Sequence, residues 1–596
     1  MATIATAAGN VSVTVVADGF QPLTAIVEVR PCETRDVHVE LVPRLEERVT
    51  VSATRTDARL DDLPLRVEVL NAEEIEEKIM MTPGDIVMML NEMGGMRVQA
   101  TSPSLGAASI RVQGMRGRYT RFLSDGLPLF GAQVGGLGLL QIPPTDLGQV
   151  EVIKGVASAL YGAGAMGGVV NLVSRRPTDT PTRDFLFNQS SRGATDAVAF
   201  LSGPLRGHWS ATLLGGGHWQ AENDIDGDGW ADLAGYERGE IRPRIFWDDK
   251  AGRSLFLTGG ASIESRAGGT VDGAVLRPIG TAFRESLETG RFDVGGAGQI
   301  LAGDYVVMAR GNATWQTHDQ RFGPVRERDS HQTSFAEISA RRQAGRHMLV
   351  GGVAVERVAF TSRDASAYSF AFTTPGLFVQ DDYTAARWLS VSGGARFDHH
   401  SRDGAFLSPR GSALVRLGNW STRVSAGGGF YPATALNEET EASGLTRLAV
   451  LTPLRAEKGT STSLDVTRTR GRLSHTVTLF HSRITNPVRV IRDTEYALDT
   501  MARPTTNRGV ELLATWRAAP IAITANYAYV HAREFDRSGF RDVPLTPRHS
   551  VGLVGMWERE DVGRVGLEVY YTGRQQLEAN PFRPTSRPYT VVGVLL

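Results

Sequence analysis

Three glycines spaced as in a dinucleotide-binding loop raise the first chemical question about this sequence. Gly162, Gly164 and Gly167 lie in GAGAMG, which fits the G-x-G-x-x-G pattern that cradles phosphates. That fingerprint needs a strand before the glycines and a helix after them, so that the phosphate meets the helix N-terminus. Here VASALYG has a helical pattern, and GGVVNLVS after it has the pattern of a β-branched strand. We therefore predict a tight turn from helix to strand and no nucleotide site.

A second stretch with chemical spacing is NDIDGDGWADL, which carries acidic residues at alternate positions. Its four aspartates and Gly229 match positions 1, 3, 5, 6 and 9 of an EF-hand calcium loop. The bidentate acid expected at the end of that loop is replaced by Gly235, with Glu237 shortly after it. A structural calcium site in an outer loop and a plain Asp-rich turn therefore both stay open. The candidate ligands are Asp224, Asp226, Asp228 and Asp232.

The sequence contains no catalytic constellation that would make it an enzyme. It has no nucleophile elbow, no H-E-x-x-H and no P-loop lysine. His399 and His400 are adjacent on a strand and point to opposite faces, so they cannot share a metal there. The single cysteine, Cys32, excludes an intrachain disulfide framework and a multi-thiolate metal site. We expect no cofactor apart from the candidate calcium.

The composition favours one large β-sheet over several soluble domains. Glycine makes up 66 of the 596 residues, above its usual share of about 7%. No apolar run approaches the roughly 18 residues that a membrane-spanning helix needs. Lysine and arginine (64) balance aspartate and glutamate (65), so the chain lacks the basic surface of a nucleic-acid-binding protein.

From about Asp184 to the end, apolar and polar residues alternate as they do in half-buried strands. Leu255, Leu257 and Ile263 form one face of such a segment, and Thr258 and Ser262 form the other. A soluble sandwich and an outer-membrane barrel both produce this pattern. The same alternation recurs over 307–316, 389–398, 510–517 and 565–572.

Three features favour the outer-membrane barrel over the soluble sandwich. The segments are numerous, many of their polar positions are Arg or Glu, and aromatic residues cluster near the strand ends, where an interfacial girdle would lie. The girdle candidates are Trp315, Trp388, Trp516, Tyr527, Tyr529, Tyr570 and Tyr571.

Before this region, residues 59–176 have the sequence pattern of a compact mixed α/β domain. AEEIEEKIM and TPGDIVMMLNEM predict two short helices, followed by strands with Gly-rich turns. LGQVEVIKGVASALYGAGAMGGVVNLVSRRP and IRVQGMRGRYTRFLSDGLPLFG resemble the signature segments of the plug domain in TonB-dependent outer-membrane receptors. GLFVQDDYTAARWLSVSGGARFD, GGGFYPATALNEET, VPLTPRHS and VYYTGRQQLEANPF resemble barrel segments of the same family.

The resemblance implies a mainly β fold, in which a large transmembrane antiparallel barrel of the ~22-stranded type is filled by an N-terminal plug. The domains implied are a partial carboxypeptidase-regulatory-like β-sandwich at 1–45, a TonB box and linker at 46–58, the plug at 59–178 and the barrel at 184–596. The sequence departs from the family pattern at Val156, where the plug usually has proline. No signal peptide is visible, and the barrel region is a few strands short, so we expect a chain truncated at both ends, with its last strands missing.

The segment EERVTVSATRT resembles a TonB box, the extended peptide that adds to a sheet edge of a TonB-type energy-transducing protein in the periplasm. An ordinary linker strand is the alternative. The residues of the predicted box are Glu47, Arg48, Val49, Thr50, Val51, Ser52 and Ala53.

Polar contacts are expected to hold the plug in the lumen, because a buried unpaired charge is costly. The resemblance suggests Arg111 as the plug side of such a lock, with Glu438, Glu439 or Glu457 as its partner; separate solvated charges are the alternative. Ligand contact is expected at apical plug turns, although ordinary turn packing also accounts for the same residues. The candidates are Arg116, Arg118, Tyr119, Arg121 and Phe130.

The sequence therefore predicts a monomeric, TonB-energised transporter in the outer membrane of a Gram-negative-type bacterium, surrounded by lipid. A ferric siderophore is the expected ligand, because Arg and aromatic side chains suit anionic, ring-bearing iron chelates. Cobalamin, an oligosaccharide or a peptide is the alternative ligand. A surface binding or signal-transducing receptor without import is the alternative from another class.

Overall fold

The structure is a computed structural model of the 596-residue chain. It describes residues 9–15, 23–30, 50–51, 55, 58–59, 63–79, 86–91, 93–129, 144–275, 280–449, 453–492, 496–536, 539–559, 562–578, 580 and 583–596.

Two antiparallel pairs of strands precede the first domain. The strands β1 (Gly9–Val15) and β2 (Leu23–Val29) form one hairpin, and β3 (Thr50–Val51) pairs with β4 (Ala58–Arg59). The predicted carboxypeptidase-regulatory-like domain at 1–45 stays a prediction.

The next domain is a small mixed α/β unit built on a five-stranded sheet in the order β5-β10-β11-β8-β9, with β6 and β7 forming a separate hairpin. Its two main helices fall within the stretches that the sequence predicted to be helical. The elements are β5 (Val67–Leu70), α1 (Ala72–Ile79), α2 (Val87–Asn91), β6 (Met96–Ser102), β7 (Ala107–Val112), β8 (Thr120–Ser124), β9 (Leu127–Pro128), β10 (Leu147–Lys154), α3 (Ser158–Tyr161) and β11 (Gly168–Ser174).

Local signals explain how this unit begins. The side chain of Asn71 accepts a hydrogen bond from the Glu74 backbone N–H (2.9 Å), which caps α1. Ile75 then points inward and is fully buried with Leu90 and Val150 in a core made only of residues from this unit. The apolar core therefore holds the small domain together from within.

The GAGAMG stretch adopts the predicted order, with α3 before it and β11 after it. Gly162 and Gly164 have φ values of 73° and 82°, which residues with a Cβ atom rarely adopt. At Gly167 a Cβ would lie 3.1 Å from the backbone oxygen of Tyr119. The glycines therefore serve a crowded helix-to-strand turn.

The rest of the chain forms one antiparallel sheet of 21 strands, ordered almost entirely as in the sequence. Each strand of the sheet pairs with the strand that follows it in this order. The strands β27 and β28 form a separate hairpin. The elements are β12 (Thr182–Gln189), β13 (Ala194–Pro204), β14 (Trp209–Gln220), β15 (Gly235–Asp248), β16 (Ser254–Gly269), β17 (Arg284–Ala302), β18 (Tyr305–Phe322), β19 (Val325–Ala344), β20 (His347–Ser362), β21 (Phe370–Ala386), β22 (Leu389–His400), β23 (Gly404–Leu417), β24 (Trp420–Tyr431), α4 (Glu438–Ser443), β25 (Glu457–Arg470), β26 (Leu473–Thr485), β27 (Val488–Arg492), β28 (Tyr496–Thr500), β29 (Thr505–Ala518), β30 (Ile521–Asp536), β31 (Gly539–Asp542), β32 (His549–Arg559), β33 (Gly563–Thr572) and β34 (Tyr589–Leu595).

The two faces of this sheet differ in polarity, as the alternation predicted. On β18, Thr314 and Gln316 are each only 3% exposed, whereas Trp315 between them is 43% exposed. Leu257 and Ile263 on β16 are likewise exposed on the outer face. The polar face therefore surrounds the small domain, and the apolar face points away from it.

The connections between strands are short at one end of the sheet and mostly longer at the other. The segments 345–346 and 418–419 join neighbouring strands at the first end, whereas 221–234 and 432–456 do so at the second. The second end carries α4 and the β27–β28 hairpin. Within the described ranges, no helix combines the length and the hydrophobicity needed to cross a membrane.

Candidate functional site

A row of plug-domain arginines meets carboxylates of the surrounding sheet and its longer loops. Arg111 lies near the end of β7, and a turn with positive φ at Gln113 (52°) and Gly114 (79°) reverses the chain after it. A single 3-10 turn, Gly117–Tyr119, follows. This geometry points Arg111, Arg116 and Arg118 toward the sheet wall, where all three are buried.

The helix α4 presents two of the partner carboxylates because its first turn is capped. The Asn437 side chain accepts hydrogen bonds from the backbone N–H groups of Glu439 (2.9 Å) and Thr440 (3.0 Å). The Thr440 hydroxyl in turn accepts from the Asn437 N–H (2.9 Å). This reciprocal capping box fixes the first turn of the helix and thereby the positions of Glu438 and Glu439.

Arg111 pairs with Glu438, one of the three partners proposed from the sequence. Its Nη2 donates to Glu438 Oε2 at 2.9 Å, while Ser109 Oγ (2.6 Å) and the Gly117 N–H (3.0 Å) donate to Oε1. Burial alone would raise the pKa of Glu438, but Arg111, Arg116 and these hydrogen bonds lower it to about 2. Glu438 is therefore ionised at neutral pH.

Arg116 connects α4 with two other parts of the barrel. Its Nη1 donates to Glu439 at 2.8 Å, and its Nη2 lies 3.3 Å from Glu534 on β30 and 3.9 Å from Glu578 in the segment before β34. Burial would lower the pKa of Arg116, but the carboxylates of Glu534, Glu439 and Glu578 raise it well above its usual range. The guanidinium charge is therefore retained.

Arg118 and Tyr119 share the third carboxylate, Glu457, at the start of β25. Arg118 Nη2 lies 3.1 Å from Glu457 Oε1, and the Tyr119 hydroxyl donates to Oε2. Arg118 also donates to the backbone oxygen of Val488 (2.9 Å). The ion pairs Arg111–Glu438, Arg116–Glu439 and Arg118–Glu457 are called the plug lock below.

The structure places four of the five predicted ligand-contact residues in contact with the barrel wall. Arg116, Arg118 and Tyr119 are buried and already bonded to carboxylates, and Arg121 forms a two-point pair with Glu356 (2.7 and 3.1 Å). Ligand contact by these side chains stays a prediction, and it would require carboxylates to be released. Phe130 lies outside the described residues.

A second ionic cluster, which sequence reasoning missed, joins β5 and β10 of the plug domain to β25 and β29 of the sheet. Arg66 Nη1 is 2.7 Å from Asp465, and Lys154 Nζ is 2.7 Å from Glu68 and 3.4 Å from Glu511. Lys154 belongs to the VIKG part of the plug signature, and Glu511 is a polar position of the alternating segment 510–517. These two positions were the only indications in the sequence, as we interpret it, of this second ionic contact between the plug and the sheet.

The linker before the plug is also tied to the barrel. Arg55 Nη2 lies 2.7 Å from Glu337 Oε2, and its guanidinium carbon is 4.2 Å from the Phe378 ring centroid and 4.9 Å from that of Tyr161. Burial lowers the pKa of Arg55 to about 10 despite the Glu337 carboxylate. Arg55 is thus held inside the lumen, only two residues after the predicted TonB box.

The predicted TonB box falls mostly beyond the residues that the structure describes. Thr50 and Val51 form β3 and pair in register with Arg59 and Ala58. The box stays a prediction. The remaining box residues, all outside the described ranges, are Glu47, Arg48, Val49, Ser52 and Ala53.

The Asp-rich loop between β14 and β15 brings together three of its four candidate ligands, Asp224, Asp226 and Asp232. Loop backbone groups already use these carboxylates: the Gly227 and Gly229 N–H groups donate to Asp224, each at 2.8 Å. Asp228 instead accepts from the Trp230 N–H at 2.8 Å, and no metal-compatible group among the described residues includes it. Calcium binding stays a prediction.

A cavity of about 690 Å³ opens near the end of the sheet with the longer loops. It spans β14 to β19, and Arg238, Arg328 and Arg363 line it together with Trp219 and several carboxylates. Its volume falls within the usual range of small-ligand sites, about 300–1,000 Å³.

The fold and the plug lock define a barrel-type receptor whose lumen is filled by its own N-terminal domain. The family model for the TonB-dependent receptor plug domain matches residues 59–169. The model for the TonB dependent receptor-like β-barrel matches residues 164–596. The chain therefore belongs to the TonB-dependent receptor family, whose members are not enzymes, and its barrel strands lie in the outer membrane.

Similar proteins include receptors for more than one kind of ligand. An iron-regulated outer membrane virulence protein of Vibrio cholerae is 22% identical over 577 residues, covering 89% of this chain and 85% of that protein. A vitamin B12 transporter of Vibrio vulnificus is 31% identical over 128 residues, 22% of this chain and 20% of that protein. The crystal structure of a siderophore receptor, PirA from Acinetobacter baumannii, matches with a TM-score of 0.72 at 17% identity and covers 92% of this chain and 93% of its own.

Replacing Glu438 by glutamine is expected to loosen the β7 end of the plug. The substitution leaves the buried Arg111 guanidinium without its counter-charge, which costs about 3 kcal/mol. Local opening would become ~100-fold more frequent. Hydrogen exchange measured by mass spectrometry over residues 107–120 checks this expectation. The control is Arg253→Ala, which removes the exposed Arg253–Asp249 pair; equal exchange in Glu438→Gln and the wild type would contradict the buried-pair account.

The same contact is expected to weaken in acid. Because the folded-state pKa of Glu438 is about 2 and the unfolded value is about 4.3, its stabilising contribution is full above about pH 5 and is lost as the pH falls toward about 2. Hydrogen exchange over residues 107–120, corrected for intrinsic rates, should show this loss of protection in the wild type. Glu438→Gln should not show that loss; the same acid response in both proteins would exclude Glu438 as its source.

Proposed function

We propose that this receptor imports a ferric siderophore across the outer membrane, using energy from a TonB-type protein in the periplasm. The observation that carries the proposal is the plug lock: a lumen occupied by a domain that is held through ion pairs must be opened by a rearrangement of those pairs. A passive pore of this width would need no such domain. Energy-driven uptake of a large, scarce solute accounts for both the wide barrel and its plug.

The ligand class is supported by the cavity at the loop end and by the similar proteins. Arg363 and Trp219 line this cavity, and Arg238 and Arg328 add guanidinium groups that are paired with Glu264 (3.6 Å) and Asp364 (2.8 Å). Such groups suit anionic iron chelates that carry aromatic or hydroxamate oxygens. The iron-regulated relative from Vibrio cholerae and the siderophore receptor from Acinetobacter baumannii add support for iron.

Cobalamin is the second candidate, because a vitamin B12 transporter is 31% identical over 128 residues. Its binding and that of ferric chelates can be compared directly by quenching of tryptophan fluorescence in the purified receptor. Saturable binding of a ferric siderophore, with none of cyanocobalamin, supports the first proposal. The reverse result replaces it.

The linker geometry suggests how a pull reaches the plug. The predicted TonB box ends at Ala53, and Arg55 follows with its side chain buried against Glu337. In our proposal, tension on the box first acts on this ion pair and then on the plug sheet. Arg55 therefore keeps the box close to the barrel until the partner protein binds.

Val49→Pro tests whether the box transmits energy. Proline removes a backbone N–H that strand addition to the partner needs. We expect uptake of an iron-55-labelled chelate to fall to background in cells that produce the variant, while chelate binding to those cells is retained. Thr56→Ala, just beyond the box, is the matched control. Normal uptake by Val49→Pro would refute energy transfer through this segment.

Arg55→Ala is expected to make the box more available. With the buried pair removed, the purified receptor should bind a periplasmic TonB fragment ~10-fold more tightly, because less of the free receptor is in the retained state. The control is Arg342→Ala, which removes an exposed pair with Asp304. An affinity for the fragment that Arg55→Ala leaves unchanged would show that Arg55 does not retain the box.

A further inference from the structure

A small cavity lies between α4 and the barrel wall, separate from the plug lock. Its volume is about 50 Å³, and its polar lining includes His318 from β18, Asp329 and His331 from β19, and Glu441 from α4. Asp329 Oδ1 lies 2.7 Å from His318 Nδ1 and 3.2 Å from His331 Nε2. Two imidazoles and a carboxylate therefore converge on one point.

Hydrogen bonding among these side chains leaves several buried atoms without partners. Within the described part of the chain, His318 Nε2, His331 Nδ1 and Glu441 Oε2 are buried and accept or donate no hydrogen bond. His318 and His331 are 7% and 5% exposed. Buried polar atoms in proteins usually have partners, so this cluster is incompletely satisfied.

The lining of the cavity is also acidic. Glu327, Asp329 and Glu441 all line it, and no Lys or Arg belongs to the described lining. Glu327 is satisfied by the Leu445 and Thr446 N–H groups (2.9 and 2.7 Å). The surroundings therefore favour an additional positive charge.

We propose that His318, Asp329 and His331 bind a divalent transition-metal ion of the zinc class, with Glu441 as the neighbouring carboxylate. Histidine nitrogen and aspartate oxygen are ordinary zinc ligands at about 2.0–2.2 Å. The three ligand atoms lie within 4.8 Å of one another, so one ion can contact all of them after small side-chain adjustments. Imidazole ligands favour such an ion over calcium or magnesium, which prefer oxygen.

The position of this site gives the ion a structural consequence. The helix α4 carries Glu441 toward the cavity, and it also carries Glu438 and Glu439 of the plug lock. An ion bound at the wall between β18 and β19 would place a positive charge beside Glu441 of α4, which lines the same cavity. The metal thus steadies the helix that holds the plug, independently of which solute the receptor imports.

The test uses the full chain in detergent after removal of metals with a chelator. Zinc binding is measured by isothermal titration calorimetry, and the coordination is read from the visible spectrum of the cobalt(II) form. We expect one zinc ion per chain, with an affinity that falls at least ~100-fold in both His318→Ala and His331→Ala. His218→Ala is the matched control, because the two nitrogens of that buried histidine face different carboxylates, Asp196 and Glu240.

Zinc affinity that the His318 and His331 variants leave unchanged, or an equal loss in His218→Ala, would overturn the proposal. A second measurement uses only the wild type, so its result does not depend on whether the variants fold. Crystals grown with zinc should show an anomalous diffraction peak at the zinc edge within bonding distance of His318, Asp329 and His331. Zinc-loaded crystals with no peak between these residues would equally overturn it.

Discussion

The buried ion pairs between plug arginines and barrel carboxylates are the constraint on which the rest of this structure depends. A wide barrel has a polar inner face, so the domain that fills it must present charges, and each buried charge needs a partner. Arg111, Arg116 and Arg118 find theirs in Glu438, Glu439 and Glu457. The β6–β7 hairpin, the 3-10 turn after it and the capped helix α4 are the elements that bring these partners together.

The polar contacts between plug and barrel also allow the plug to move relative to the barrel. The apolar cores of the plug, around Ile75 and Val150 and around Leu123 and Ile153, consist only of plug residues. The main apolar cores of the plug therefore stay intact when it moves against the barrel, whereas ion pairs and small mixed clusters, such as Met115, Tyr119 and Met166 with Ile484, must separate. Buried pairs add little net stability compared with apolar packing, but they specify position strongly. A domain that must stay in place at rest and yield under tension needs this combination.

Much of the fold could be predicted from the sequence because it depends on local patterns. The alternation around Trp315 gave the correct inner and outer faces, and the reversed order of helix and strand around GAGAMG excluded a nucleotide loop. The family resemblance gave the plug and barrel organisation, which the family models confirm. These features depend on neighbours within one or two elements of the chain.

The pairing of distant charges could not be predicted in the same way. Arg116 lies 323 residues before Glu439 and 418 before Glu534, and no local pattern selects one carboxylate among many. The histidine cluster, in contrast, had an overlooked signal. The tight turn at Gly323 sets a hairpin register in which His318 faces Asp329, so the strand pattern alone could have brought these two together.

We propose that the plug lock opens only when energy is supplied, and that the solute then crosses. The most direct measurement compares uptake of an iron-55-labelled ferric siderophore by cells with an intact proton-motive force and by cells treated with a protonophore, with surface binding measured in both. We expect equal binding in the two samples and uptake only in the energised one. Equal uptake with and without the proton-motive force would contradict it.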